Sequence, residues 1–442
     1  MVFVLGEYRI TGRRASEIAA DVERAVAAGE LPPGAALPPL RDLAGELGVN
    51  PNTVAAAYRL LRERGVIETA GRRGSRIRPR PVTTPRDQAR LPVPSGARDL
   101  SAGNPDPALL PPLGPALAAA AAGPTVLYGD PVAEPELLDD FRAEFRADGA
   151  PEGELAVCSG ALDTIARVLT ATLRPGDTVA VEDPGWGSVL DLLPALGLRT
   201  APVPLDDQGP LPEAVAAALD AGARALIVTS RAQNPTGAAL TPARAAALRA
   251  VLAARPTTVL IEDDHGHGMV DQPFQSLAAG TVTHWALIRS AAKALGPDLR
   301  VAVSIGDADT VARVLGRQRL DAGWVSHLLQ RAVLELRRRP VAPAPVYRAR
   351  RDALLTALAA HGIRAHGESG LNVWIPVPDE TATAAALLQR GWVTAPGARF
   401  RLGSPPGVRI SISTLLPAEA TALAADLAAV LARPAPGGSR LT

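Results

Sequence analysis

From Leu100 onward, short apolar runs alternate with Ala- and Leu-rich stretches of helical length, and this alternation fixes the fold class. The runs at 178–181, 225–229, 259–261, 285–288 and 301–305 are each bounded by turn or helix signals. Such an order predicts an α/β body, a mostly parallel sheet with helices on both faces. Sites in that architecture lie at the carboxyl ends of the strands. Two later runs, 370–375 and 408–412, read as strands of a smaller C-terminal lobe. With 442 residues the chain is long enough for a large buried core.

Composition excludes several classes. The net charge is +1, but residues 1–80 hold 13 Arg against nine Asp and Glu, so the basic excess is N-terminal. One cysteine, Cys158, permits no intramolecular disulfide and no cysteine-rich zinc site, which fits a reducing cytoplasm. It reads as a small buried hydrophobe. The first apolar run, Met1 to Leu5, is too short for a signal peptide, and no stretch reaches membrane-spanning length. A soluble, cytoplasmic protein with no membrane partner is expected.

The basic N-terminal part has its own organisation. Ile18, Val22 and Val26 recur at four-residue spacing in a helix over 15–28, which Gly29 stops. A second helix opens at Leu37-Pro38-Pro39-Leu40-Arg41 and breaks at Gly48. Asn50-Pro51 then provide the cap and first turn of a third, running to Arg64 with Val54, Tyr58 and Leu61 on its apolar face. Short strands at 65–69 and 75–78 flank the turn Ala70-Gly71-Arg72-Arg73-Gly74. Three helices and a basic hairpin make a winged helix-turn-helix. In DNA recognition the third helix enters the major groove, with Asn52 reading a base edge and Thr53 a base or phosphate. Arg41 would hold the backbone, and Arg72 and Arg73 would enter the adjacent minor groove. A protein-interaction bundle with a solvated hairpin is the competing reading. Residues 80–98, rich in Pro, Thr, Arg and Ser without periodicity, read as a linker between 1–79 and a body over 99–436.

The chemistry of that body centres on Lys293, the only lysine among 46 basic residues. An Arg-, Ala-, Gly- and Pro-rich composition accounts for the scarcity of lysine but not for where this one sits. It follows the run 285–288, with the hydroxyl of Ser290 three residues before it and Arg300 seven after. A desolvated amine forms a Schiff base with a carbonyl, which guanidinium cannot do. The flanking hydroxyl and guanidinium suit an anion such as the phosphate of pyridoxal phosphate.

Four further motifs stand at strand ends. Gly160-Ala161 opens a helix over 161–173 whose free amides suit a phosphate, with Asp163 a helix-end charge turned aside. Trp186, in Glu182-Asp183-Pro184-Gly185-Trp186, either stacks on a planar cofactor or belongs to the core. Asn234, in Asn234-Pro235-Thr236-Gly237, has an amide that can donate to a phenolic oxygen. Asp263, in Glu262-Asp263-Asp264-His265, can keep a pyridine nitrogen protonated; the same acidic pair beside His265 and His267 could instead bind a metal. Arg409, alternating with apolar neighbours, faces a carboxylate, structural or ligand.

The head, Leu-Pro-Pro-Leu-Arg-Asp-Leu-Ala then Gly-Val-Asn-Pro-Asn-Thr-Val, resembles the DNA-binding domain of the GntR regulators over roughly residues 8–78. The order Gly-Ala turn, aromatic, Asn-Pro-Thr-Gly, Asp, Ser-x-x-Lys with a following Arg, and a late Arg is similar to the fold-type I aminotransferases over 100–435. Together they resemble the MocR/GabR-type regulators. The resemblance implies pyridoxal phosphate as cofactor, with Lys293 as Schiff-base lysine and catalytic residue, and Asp263 on the pyridine nitrogen. It implies Asn234 on the phenolic oxygen, and Ser290, Arg300, Gly160 and Ala161 on the phosphate. Tyr128 would reach the phosphate of a partner subunit in a homodimer, and Arg409 would hold an amino acid carboxylate. The linker permits the heads to swap between subunits. Two positions depart from the family: His265 stands where a tyrosine usually donates to the phenolic oxygen, and Ala133 where glycine is expected.

The expected function is a regulator that binds double-stranded operator DNA and senses an amino acid, an amine or pyridoxal phosphate itself. A working aminotransferase with a DNA-binding appendage is the alternative, and a cofactor-free regulator is third. Turnover is expected to be slow or absent, and no metal is expected.

Overall fold

In the computed structural model the described residues are 8–28, 30–32, 34–63, 66–69, 74–77, 93–339 and 342–432. Arg72, Arg73, most of the expected linker (80–92) and the last four residues of the expected body (433–436) lie outside them.

The head contains α1 (Ala15–Ala28), α2 (Leu40–Leu47) and α3 (Pro51–Glu63), then the antiparallel strands β1 (Ile67–Thr69) and β2 (Ser75–Ile77). Its core gathers the apolar face of each helix: Ile18, Val22, Leu43, Val54, Tyr58 and Leu61 are buried with Ile67 and Ile77 from the strands. The Tyr58 hydroxyl donates to the Pro38 carbonyl at 2.9 Å, which ties α3 to the proline turn ahead of α2. Asp21, buried on α1, accepts from the Tyr8 hydroxyl at 2.8 Å and the Thr11 amide at 2.9 Å, anchoring the entering chain.

The larger body is built on a seven-stranded sheet of β3 (Glu154–Cys158), β4 (Thr178–Glu182), β5 (Arg199–Val203), β6 (Ala223–Thr229), β7 (Val259–Asp263), β8 (His284–Ser290) and β9 (Ala302–Gly306). Their spatial order is β3-β9-β8-β7-β6-β4-β5. β6, β7 and β8 run parallel, while β9 is antiparallel to both β8 and β3. The run at 301–305 was thus correctly a strand but does not share the direction of β8. Only the 3-10 turn Pro297–Leu299 lies between β8 and β9. A parallel return needs a crossover of a dozen or more residues, usually through a helix.

The helices of this body pack on the sheet through Leu137, Phe141 and Phe145 from Pro135–Ala147, Leu248 and Leu252 from Pro242–Ala253, and Val333 and Leu336 from His327–Arg337. α4 (Ala161–Thr172) follows β3 directly. The C-terminal lobe contains β10 (Asn372–Pro376), β11 (Ala395–Pro396) and β12 (Gly407–Ser411), in the order β10-β12-β11 and antiparallel throughout. Its core draws Leu354 and Leu358 from one helix and Leu423 and Leu427 from another. Arg98, placed at the end of the linker by composition, forms with Asp99 a parallel ladder against Trp392–Val393. Arg98 also pairs with Glu419 at 2.8 Å, so the packed body begins at the end of the expected linker.

Candidate functional site

The segments after three strands, the end of a fourth and one helix start meet at a cavity of about 260 Å³. Ala161, Trp186, Asn234, His265, Ser290, Lys293 and Arg300 line it, so seven of the expected site residues come together from distant parts of the chain. Trp186 is half-buried and contributes to the wall.

The Lys293 Nζ donates to the Gly103 carbonyl at 2.7 Å. Gly103, at φ 65°, has no room for a side chain, since a Cβ there would lie 3.0 Å from the Arg409 guanidinium. Elsewhere in the cavity wall the Arg300 Nη2 donates to the Ser159 carbonyl at 2.8 Å. A Cβ on Gly160 would run into the same guanidinium, so glycine there lets Arg300 lie across the start of α4. Arg300 itself is left-handed at φ 49°, a conformation costing a non-glycine residue about 1–2 kcal/mol. Strain of this kind collects at functional sites, where surrounding structure holds it. Guanidinium, the Ser290 hydroxyl and the start of a 12-residue helix line the same cavity, and each is a group that can hold an anion. Asp163 stays out of it, accepting from the Ser159 amide at 2.9 Å and pairing with Arg167 at 3.0 Å.

Asn234 accepts at Oδ1 from Arg409 Nη1 at 2.9 Å. Guanidinium only donates, so this contact fixes the amide's orientation and leaves its Nδ2 as the available donor. Arg409 does not line the cavity; it is buried behind it, with Nη2 on the Ser101 carbonyl at 2.6 Å and its guanidinium 4.5 Å from the Phe400 ring centre. Gln233 holds the same loop from below. It donates to Glu182 at 3.1 Å and to the Pro184 carbonyl at 2.9 Å, and accepts from the Thr236 amide and hydroxyl. The motifs carrying Trp186 and Asn234 are thereby fastened together. Burial pushes the Glu182 carboxyl up to about 7, although the Thr229 amide and Gln233 donate to it.

Asp263, at the end of β7, is buried, and its Oδ1 is enclosed with no hydrogen-bond partner. Its Oδ2 lies 3.3 Å from His265 Nδ1, while His265 Nε2 lies 2.9 Å from the Ala232 carbonyl. The imidazole, expected to offer an N–H to a phenolic oxygen, has instead turned both ring nitrogens to acceptors of the protein. Asp264 points elsewhere, taking a forked pair from Arg231 at 2.7 and 3.0 Å and a third bond from Arg289 at 3.0 Å. The two neighbouring carboxylates therefore serve different partners. Among the described residues no group of three His, Cys, Asp or Glu side chains is placed to hold a metal.

Sequence reasoning did not anticipate the Arg231–Asp264–Arg289 layer, nor Gly103, Asn104 and Asn372 in the cavity wall. Tyr128 lies outside the cavity, 94% exposed, its ring edge-on to Trp324 at 5.5 Å between centres. In the head, Arg41 and Asn52 are exposed and Thr53 is half-buried at the start of α3, where the Asn50 side chain accepts from the Asn52 amide at 2.8 Å.

A cavity that gathers a lysine amine, a guanidinium and a helix start at the strand ends of an α/β sheet, with a small C-terminal lobe, is the layout of a fold-type I aminotransferase body, and a winged helix precedes it. Residues 97–427 match the aminotransferase class I and II family, and residues 14–77 match the gntR family of bacterial regulatory proteins. The chain belongs to the MocR/GabR-type regulators, in which these two modules are fused. The vitamin B6 salvage pathway transcriptional repressor PtsJ of Salmonella typhimurium is 42% identical over 96% of this chain and 100% of its own length. The pyridoxine biosynthesis transcriptional regulator PdxR of Corynebacterium glutamicum is 31% identical over 60% of each chain. Among solved structures, a mutant of Thermus thermophilus aspartate aminotransferase is 27% identical, with a TM-score of 0.66 over 78% of this chain and 98% of its own.

Proposed function

We propose that this chain is a DNA-binding transcriptional regulator whose effector body takes pyridoxal phosphate at Lys293, and that the cofactor itself is the signal it reads. The observation that carries the reading is the ring of groups around that amine. Asp263 is absent from the cavity lining but lies against His265, which lines it, and its Oδ1, buried and without a partner, is the acceptor a protonated pyridine nitrogen needs. Arg300, Ser290 and the amides after Gly160 hold the phosphate, and the free donor of Asn234 serves the phenolic oxygen. Trp186 covers the ring. When bound, the cofactor supplies an electrophilic carbon and an electron-accepting ring. Lys293 is the only side-chain amine able to hold that carbon.

The relative aligned end to end is a repressor of vitamin B6 salvage, which favours the vitamer over an amino acid as the ligand. The position of Arg409 agrees. A guanidinium meant to hold a ligand carboxylate is here bonded to Asn234 and the Ser101 carbonyl, outside the cavity lining. Retention of Arg409 together with Lys293 and Asp263 is what favours the second reading, a working aminotransferase. An absorption spectrum distinguishes the two. Pyridoxal phosphate should give a visible band that Lys293→Ala abolishes and that a panel of amino acids leaves in place. Steady consumption of an amino donor and keto acceptor would support the second.

The body acts as a homodimer in this proposal, because Tyr128, exposed on its own subunit, completes the phosphate site of the partner. A cofactor-loaded monomer in sedimentation at micromolar concentration contradicts that part. Residues 80–98 join head to body, so a ligand-induced change in the body can bias how two heads meet two half-sites. Coupling of this kind is typically about 1–3 kcal/mol and reciprocal.

A further inference from the structure

We propose that His265 is a positioning residue for Asp263 and has no bond to the ligand's phenolic oxygen, so that it sets how strongly the site holds the ring nitrogen. The inference rests on pyridoxal phosphate being the ligand and goes beyond it in assigning a role to the residue that departs from the family pattern.

Both ring nitrogens of His265 face acceptors, Asp263 Oδ2 at 3.3 Å and the Ala232 carbonyl at 2.9 Å. An imidazole can donate from either ring nitrogen, so the ring is held between these two oxygens. The Ala232 carbonyl is itself fixed. Ala232 is left-handed at φ 59°, and its amide donates to the Ser369 hydroxyl at 2.7 Å, so the local backbone is pinned from the C-terminal lobe. The imidazole thus spans a fixed carbonyl and one oxygen of a buried carboxylate. With Oδ2 occupied, Asp263 can turn only Oδ1 to a ligand, and that oxygen is the one without a partner. A tyrosine at 265 would release Oδ2 and could point its hydroxyl into the cavity. The histidine exchanges a bond to the ligand for control of the carboxylate.

Ligand analogues separate this role from the family one. Absorbance titrations of wild type, His265→Ala and His265→Phe would use pyridoxal phosphate, its 1-deaza analogue lacking the ring nitrogen, and its 3-deoxy analogue lacking the phenolic oxygen. Removing a hydrogen bond to a charged group is expected to weaken pyridoxal phosphate and the 3-deoxy analogue on the order of ten-fold. The deaza analogue should bind variants and wild type alike, and His265→Asn, which keeps a donor near Nδ1, should recover most of the loss. Equal losses for all three ligands would mean a general disturbance of the pocket and overturn the inference. So would a loss that disappears with the 3-deoxy analogue, which would put the imidazole on the phenolic oxygen. Should wild type bind no pyridoxal phosphate, the cofactor reading itself fails and this inference falls with it; intact binding by wild type with unchanged variants overturns this inference alone. His265→Phe, which keeps ring volume, serves where the alanine variant does not fold.

Discussion

Asp264→Ala should destabilise the effector body by about 3–5 kcal/mol, the usual cost of breaking a buried ion pair from one side. The magnitude follows from burial and pairing. Asp264 and Arg289 are both fully buried, and Arg231 is 7% exposed. Without the carboxylate, Arg289 keeps Asp148 and the more distant Glu144, and its guanidinium stays 4.6 Å from the Phe145 ring centre. Arg231 fares worse, because its remaining described hydrogen bond is to the Gln272 carbonyl, and a buried guanidinium is left without its counter-charge. The effect is large beside a typical total stability of about 5–15 kcal/mol. Urea unfolding followed by tryptophan fluorescence is the suitable assay. All five tryptophans, at 186, 285, 324, 374 and 392, belong to the effector body, so the signal reports on that body alone. Arg231→Met combined with Asp264→Ala should recover much of the loss, since an apolar replacement of a buried pair is often neutral. A loss below about 1 kcal/mol for the single variant, the range of an exposed pair, would refute the reasoning. So would a double variant no more stable than the single.

Further outcomes follow from the same structure. Burial pushes Glu182 and Glu262 up to about 7, above the 4.5 expected when unfolded, so the folded body holds protons that the unfolded chain releases. Their contribution is full below 4.5 and is lost as pH rises through about 7; Glu182→Gln should flatten this part of the stability profile, and an unchanged slope would contradict the burial argument. Glu144 runs the other way. Burial alone would raise its carboxyl, but the His267 hydrogen bond with Arg337 and Arg289 brings it down to about 2, so its contribution is present above 4.5 and fades as pH falls toward 2. In the head, Asn52→Ala should relax base preference by about 1–3 kcal/mol at one position, whereas Arg41→Ala should weaken all sequences alike and reduce the salt slope. Binding by competition against a random-sequence pool reads both, and unchanged specificity in Asn52→Ala would displace α3 from its assigned role.

Hydrophobic pattern carried most of the fold. The head helices stop within a residue of where the breakers put them, because glycine acts locally, although α2 starts at Leu40 and not at Leu37, after the two prolines. In the larger body, several strands run past the last apolar residue to Glu182, Asp263 and Ser290. An apolar run marks where the chain is buried, while the ladder continues into the polar residues that form the site. Strand direction is absent from such a pattern, which is why β9 was unreadable as antiparallel. Arg98–Asp99 is too short to show any period. The cavity residues were legible because motif spacing and strand ends coincide, but the layer behind them was not. Arg231, Asp264 and Arg289 stand apart in sequence with no spacing that pairs them, and only their mutual pairing makes burial tolerable. The turn of His265 toward Asp263 was equally invisible, since residue type constrains what an imidazole can bond and not which acceptor it meets.

In this regulator the ligand held at Lys293 is proposed to change how the head binds DNA. The direct measurement is fluorescence anisotropy of a duplex selected by the full-length protein from a random pool, titrated with and without saturating pyridoxal phosphate, in wild type and in Lys293→Ala. Coupling of about 1–3 kcal/mol predicts that the cofactor shifts the DNA Kd of wild type by about 5- to 150-fold and leaves that of Lys293→Ala unmoved. Equal DNA affinity of wild type with and without the cofactor, while its visible band shows the site to be full, would contradict the account.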